Sequence, residues 1–575
     1  MKLLGKTILL FILLFSAQIG RSQLVEDGVF YLKEEQYEKA ITLLKAELSK
    51  SPNDARINYL IGEAYFALGN FSESKAAYTA ASADLKSPFG LLGLGKIELQ
   101  NGNKSGAFLL FDKAIKLEKK NPAIYASVAK ACLQVAAVDT ASARIYLERG
   151  LAVSNKNASI QMVTGDLNLI KKNYGPAAND YERVFLYDKN SYEAYRNLGV
   201  MFTLAKNYID AKKNFEQSIA IAPNQILGYK KYAELYYNYG KYVEAEKYYS
   251  IYYAKVNPSI SEVEKYAFIM FFNKKYKEAS ALLDKVMAQK GDQANVAIYR
   301  IKGYISYENG DYVGGLEYMK KLFALKNTAD LLGSDYAYNA RLLAKNNQDS
   351  LAVDNYKLAI GKEENPVDYL DELAKVYVKL KAYNNAADVY STVMVAGGDK
   401  SAGNFNIGKL YYQAGDEQRQ LLFNITPVAD AKGRVAPMPV AGDSIKAKML
   451  GYYRLSDSCF AIVNELSPNY ATGFMWRGRI QSILDPEAKG TLGKDYYEKT
   501  LEVLAATSDK VKGKKSFVEC YNYLGSYNYF GSERSKGEEA KQFKEKSLSY
   551  FQMILDIDPN DAVTKDKIEK LKATK

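Results

Sequence analysis

The 575-residue sequence contains no histidine, a single tryptophan and three cysteines. Without histidine there can be no Ser-His-Asp triad, no Cys-His nucleophilic pair and no histidine-containing zinc set. Carboxylate-only chemistry stays open to an enzyme, but the glutamates are spread along amphipathic stretches as solvated faces are. No catalytic residue, metal site or cofactor is assigned. Cys132, Cys459 and Cys520 lie far apart within helical stretches, where free cysteine serves as a small buried apolar residue. No structural disulfide is expected, although export would permit one. Long basic runs are also missing. The net charge of +12 includes three cations from Lys2, Lys6 and Arg21, and the remaining charges are interleaved. That is a mildly basic solvated surface, and it lacks the clustered stripe that nucleic acid requires.

No apolar run reaches the roughly 20 residues of a membrane-spanning helix. The longest, Thr7–Phe15, follows Lys2 and Lys6 and precedes small residues Gly20 and Ser22. This order reads as a cleavable signal peptide over 1–22, with the mature chain starting at Gln23; the alternative is an uncleaved anchor. No cysteine stands at the cleavage point, which argues against a lipoprotein. A periplasmic or outer-membrane-associated location follows as an expectation. One motif needs rejecting. Residues 90–96, GLLGLGK, have a phosphate-loop frame, but Ile97 stands where Ser or Thr would bind magnesium.

What the chain has in abundance is tyrosine, 49 residues of it. Tyr174, Tyr208, Tyr242 and Tyr276 recur every 34 residues. Small residues accompany them: Ala177, Ala211, Ala245 and Ala279 after, and Gly165, Gly199, Ala233 and Ala267 before. Bulky Tyr181, Phe215, Tyr249 and Leu283 complete the unit. In the copy from Tyr192, two stretches of helical periodicity flank a turn at Lys206–Asn207. The small residues mark where paired helices cross, and Pro223 ends the second helix because it lacks an amide hydrogen. Gly69, Gly102, Gly240 and Gly310 fall where first helices end, a place for left-handed backbone.

A period of 34 with small residues at two fixed points resembles the tetratricopeptide repeat (TPR) family. The resemblance is strongest over 158–290 and extends, with degenerate copies, over nearly the whole mature chain. It implies an all-α solenoid, a right-handed superhelix of antiparallel helix pairs, with about twelve to fourteen repeats. Four segments are expected: the signal peptide 1–22, a TPR array over 23–415, a Pro-containing insertion over 416–446, and divergent repeats with a polar capping helix over 447–575. The insertion is read as separating a first helix, Asn404 to Ala414, from its second, Lys446 to Leu466. The C-terminal part resembles exported TPR proteins of the Bacteroidota cell envelope.

In that family the first helices line a concave face. The matching positions here are Arg196, Lys230, Glu234, Tyr237, Phe268, Phe271 and Phe272, then Arg300, Tyr304 and Tyr307, an aromatic and cationic surface suited to an extended peptide. Ser444 lies in an Asp-Ser-apolar tripeptide that resembles a Bacteroidota O-glycosylation sequon, as do Thr140 and Ser350. The implied function is a non-enzymatic scaffold for envelope proteins or peptides, in outer-membrane or secretion machinery. A glycan-binding module and a carboxylate-only enzyme are the alternatives.

Overall fold

The computed structural model describes residues 23–291, 295–325, 329–426, 441–507 and 513–573. The expected signal peptide lies outside them. Every regular element among the described residues is a helix, and none is long and apolar enough to cross a membrane. The chain divides into two compact units between residues 294 and 295.

The N-terminal unit is a run of antiparallel pairs. Its helices are α1 (23–33), α2 (Tyr37–Leu48), α3 (Ala55–Ala67), α4 (Phe71–Ala81), α5 (Phe89–Gln100), α6 (Lys104–Leu117), α7 (Pro122–Gln134), α8 (Thr140–Val153), α9 (Ala158–Ile170), α10 (Tyr174–Val184), α11 (Tyr192–Leu204), α12 (Tyr208–Ile221), α13 (Leu227–Asn238), α14 (Tyr242–Tyr253), α15 (Ile260–Phe272) and α16 (Tyr276–Lys290). The C-terminal unit continues the pairing with α17 (Val296–Glu308), α18 (Tyr312–Leu325), α19 (Gly333–Lys345), α20 (Asp349–Ile360), α21 (Val367–Lys379), α22 (Tyr383–Val395), α23 (Lys400–Ile425), α24 (Ala441–Leu466), α25 (Ala471–Leu484), α26 (Leu492–Thr507), α27 (Lys514–Arg534) and α28 (Gly537–Ile557), closed by α29 (Ala562–Ala573).

The repeat grammar explains these elements locally. Each tyrosine of the 34-residue ladder is the first residue of a second helix: α10, α12, α14 and α16 begin at Tyr174, Tyr208, Tyr242 and Tyr276. First helices start on side-chain caps. Asp54, Asn121, Asn157, Ser191 and Asn295 each accept a backbone N–H of the helix they open. Such a cap satisfies a donor with no partner inside the helix. The turn between paired helices requires one left-handed residue. Gly69, Gly102, Gly240 and Gly310 take it as expected, and Lys172, Lys206, Lys274, Asn347 and Lys381 take it at φ of 58–60° without glycine's freedom.

The helices pack through a knob at each crossing. Tyr78, Phe111, Tyr181 and Phe215 are fully buried, and each ring lies on a glycine of its partner helix: Gly62, Gly95, Gly165 and Gly199. Where serine replaces the second small residue, its hydroxyl is satisfied by the same crossing. Ser74 donates to the Gly62 carbonyl at 2.8 Å, Ser456 to Gly408 and Ser547 to Gly525, both at 2.7 Å.

Around the expected insertion the helices run further than the sequence pattern shows. α23 continues past Gly415 to Ile425 and α24 starts at Ala441, so this pair is lengthened at its tip. The lengthened helices still pack: Tyr453 lies on Gly415, and its hydroxyl donates to Asp416 at 2.7 Å. Residues 427–440 lie outside the described ones.

Candidate functional site

The first helices carry the concave-face positions, and most of their charged residues are already engaged. In the N-terminal unit, Arg196 on α11 is 7% exposed. It donates to Glu34 at 2.8 Å and lies 5.7 Å from the Tyr192 ring. Lys230 on α13 donates to Glu262 on α15 at 2.7 Å. Glu234 accepts from Lys231 at 3.1 Å and from Lys265 of the next first helix at 2.7 Å. In the C-terminal unit, Arg300 grips Asp335 through two bonds of 2.7 and 2.8 Å. Tyr304 is buried, donates to the same carboxylate at 2.7 Å, and stacks on Tyr338 with centroids 3.9 Å apart.

The expectation that Arg196, Lys230, Glu234, Arg300 and Tyr304 present free surface is therefore corrected. Successive first helices lie close enough for opposite charges one repeat apart to bridge, and a half-buried charge left unpaired is costly. The sequence signal was available. Lys230–Glu262, Glu234–Lys265, Arg300–Asp335, Arg341–Glu372 and Glu63–Lys96 are opposite charges 31 to 35 residues apart. That spacing is about one repeat.

The aromatics divide differently. Tyr237 is half-buried, with Tyr242 and Phe272 at 5.8 and 5.9 Å. Phe272 stacks on Tyr242 at 4.6 Å, meets Phe271 at 5.1 Å and stays 39% exposed. Phe268 is half-buried on α15. In the C-terminal unit, Tyr307 is half-buried between Tyr312 and Tyr338. Ser444 is exposed in the first turn of α24. Asp139, which begins another of the sequon-like tripeptides, caps α8 by accepting from Ser142.

Glu34 is a residue that sequence reasoning missed. It is buried in the turn after α1 and reaches across to the seventh first helix. One oxygen takes the Arg196 guanidinium. The other accepts the backbone N–H groups of Ile226 and Leu227 at 2.8 and 2.7 Å, at the start of α13. A carboxylate there also meets the positive end of the helix dipole. Phe30 on α1 lies 6.5 Å from the Tyr192 ring, and Lys33 pairs with Glu193. The array in this unit thus closes on itself.

Within this closed array lies a half-open cavity of about 880 Å³. Its wall includes Tyr59, Glu63, Phe66, Lys96, Lys130 and Asp166, with Leu32 and Lys33 of α1 opposite. Lys96, the lysine of the rejected phosphate-loop frame, bonds Glu63 at 3.0 Å and Gln134 at 2.9 Å and lies 4.2 Å from the Phe66 ring. Burial pulls its ammonium below the ordinary value, against the pull of Glu63. Asp166 accepts the Tyr181 hydroxyl at 2.8 Å and an Asn197 N–H at 3.3 Å. Burial raises its carboxyl above the usual range, with Tyr181 and Lys130 opposing. No group of three or more metal-ligating side chains occurs among the described residues. Cys132 and Cys520 are buried, and desolvation pushes both thiols up to about 12.

Tetratricopeptide repeat families match residues 31–87 and 62–122. No curated protein matches the chain. Among solved structures, the C-terminal part of a TPR repeat-containing protein from Cytophaga hutchinsonii is similar at 23% identity, over 53% of this chain and 98% of that one, with a TM-score of 0.39. PilF of Pseudomonas aeruginosa is similar at 20% identity, over 35% of this chain and 91% of that one, with a TM-score of 0.30. YrrB, described as a TPR protein with an unusual peptide-binding site, is similar at 17% identity, over 32% and 95%, with a TM-score of 0.21.

Proposed function

Because the chain is a tetratricopeptide repeat protein, we propose that it is a non-enzymatic scaffold of the cell envelope, exported by residues 1–22 and binding partner proteins or peptides through its first helices. The observation that carries this reading is the aromatic cluster Tyr237, Tyr242, Phe271 and Phe272, whose outermost ring is 39% exposed. Aromatic side chains offer large, rigid contact area at small entropic cost, and tyrosine is enriched at binding hot spots. Lys230 and Glu234, on the same helix as Tyr237, are held in ion pairs with Glu262 and Lys265, so they fix the surface without competing for a partner. Outer-membrane or secretion machinery is the setting that the exported TPR resemblance favours.

Mature protein, residues 23–575, used as bait in native envelope extract tests the reading. Stoichiometric recovery of defined proteins is expected, lost on joint replacement of Tyr237 and Phe272 by serine with thermal stability retained. Recovery of polysaccharide without protein, or capture indifferent to the double substitution, overturns it. Fractionation of the native host tests the location, with the mature mass expected in the periplasmic or outer-membrane fraction.

A further inference from the structure

We propose that two copies of this chain associate through the outer face of α24, the two helices packed antiparallel across a two-fold axis. The inference is independent of the partner reading above, because it concerns a second helix and not the first helices.

The inward face of α24 is Met449, Tyr453, Ser456, Phe460 and Val463, all buried. A second apolar row, Leu455, Cys459, Ile462 and Leu466, runs along the outside. Its leucines and isoleucine are 46%, 40% and 51% exposed at 455, 462 and 466, and Cys459 is half-buried. The other repeats supply an internal control. Counted from the small residue and the knob, here Ser456 and Phe460, the places of Leu455 and Ile462 hold Asp210 and Gln217 in α12, and Glu278 and Lys285 in α16. Water is the neighbour those residues suit. α20 keeps Leu351 and Leu358 at these places, but Asn355 and Lys362 interrupt its row, and Lys499 interrupts that of α26. Among the described second helices, α24 alone completes all four places with apolar side chains. Single surface leucines are ordinary, whereas a contiguous apolar row marks a contact.

The spacing identifies what covers the row. Its steps of 4, 3 and 4 residues are those of a helix seam that packs on another helix. They also read the same in both directions. Two copies of α24 laid antiparallel therefore set Leu455 on Leu466 of the second copy and Cys459 on Ile462 of the second copy. One face completes itself, as a two-fold contact requires. The charges agree with that direction. Arg454 and Glu465 flank the row on one side, are exposed, and make no ion pair among the described residues. A parallel pair would bring like charges together, while the antiparallel pair brings Arg454 of each copy toward Glu465 of the other. A contact of one helix per copy falls below the roughly 1,200 Å² of standard interfaces, so association in the micromolar range is expected.

Sedimentation velocity of residues 23–575 from about 1 to 100 µM tests this. A concentration-dependent monomer–dimer equilibrium is expected, abolished by joint Leu455→Glu and Ile462→Glu substitution with the thermal midpoint retained. Arg454→Glu and Glu465→Arg should each weaken association several-fold, and their combination should restore it, as exchange of a complementary pair does. In a Cys459→Ser background, Leu455→Cys with Leu466→Cys should give a disulfide-linked dimer on mild oxidation, and neither cysteine alone should. A monomer throughout the concentration range overturns the proposal without reliance on any variant. A dimer that survives the double glutamate substitution places the contact on another face. Cross-linking by either single cysteine shows a parallel pair and overturns the antiparallel one.

Discussion

A Cβ placed on Gly199 would stand 2.7 Å from the ring of Phe215, which is 1% exposed. The ring is a buried knob with no room to retreat, so the two helices would have to part. Gly199→Ala is expected to cost about 1–3 kcal/mol, the usual range for overpacking, read as a lowered midpoint in thermal or denaturant unfolding. Gly175 lies in α10 with nothing within 4 Å of its would-be Cβ. There alanine should be neutral or stabilising by up to about 1 kcal/mol. Equal effects at the two sites would refute the crossing argument.

Glu34 satisfies a guanidinium and two amides at once. Glu34→Ala strands Arg196 in a buried site and should cost about 3–5 kcal/mol of local stability. Hydrogen exchange should show the Ile226 and Leu227 amides losing protection while those of α16 keep theirs. A companion Arg196→Met change should recover much of the guanidinium's share, and purely additive losses would contradict the coupling.

Glu262 gives a pH dependence with a definite sign. Burial alone would raise its carboxyl, but the Lys230 ammonium, the Tyr252 hydroxyl and the Ser259 amide outweigh it and hold it at about 2. A depressed folded value contributes stability in full above the unfolded value of about 4.3. That contribution falls away as pH drops from about 5 toward 2. Its size is on the order of 2–3 kcal/mol. Acid titration of the N-terminal unit should show this loss, and Lys230→Met should shrink it. An acid profile unchanged by Lys230→Met would show that the pair is not its origin.

Trp476, the sole tryptophan, stacks on Phe460 at 5.6 Å and meets Tyr412 edge-on at 4.8 Å. Its emission therefore reports on the C-terminal unit alone. Phe460 is fully buried, and Phe460→Ala should cost about 3–5 kcal/mol, shift the emission to the red and lower the fluorescence midpoint. Unchanged emission would place the indole elsewhere.

The fold was legible because repeats state the same packing rule many times over. Gly165, Gly199 and the tyrosine ladder mark crossings and turns directly. The left-handed turns at Lys172, Lys206 and Lys274 were hidden, since lysine carries no sign of positive φ. Arg196, Lys230, Glu234, Arg300 and Tyr304 were read as open to a partner, but each is engaged by a neighbouring side chain. Position within a repeat says which way a side chain points, whereas its partner stands one repeat away, as Glu262 does for Lys230. Glu34 was beyond reach altogether. Its partners lie 162 to 193 residues away, and no local periodicity records where the array closes on itself.

That closure has a mechanical meaning. A solenoid in which each repeat touches only its neighbours yields like a spring, each coil by a small independent amount. The Glu34 clasp joins the ends of the coil between residues 34 and 227. A twist introduced at any repeat inside that loop must then be shared by all the others or break the clasp. The N-terminal unit should therefore resist pulling up to a threshold and then give way in one step.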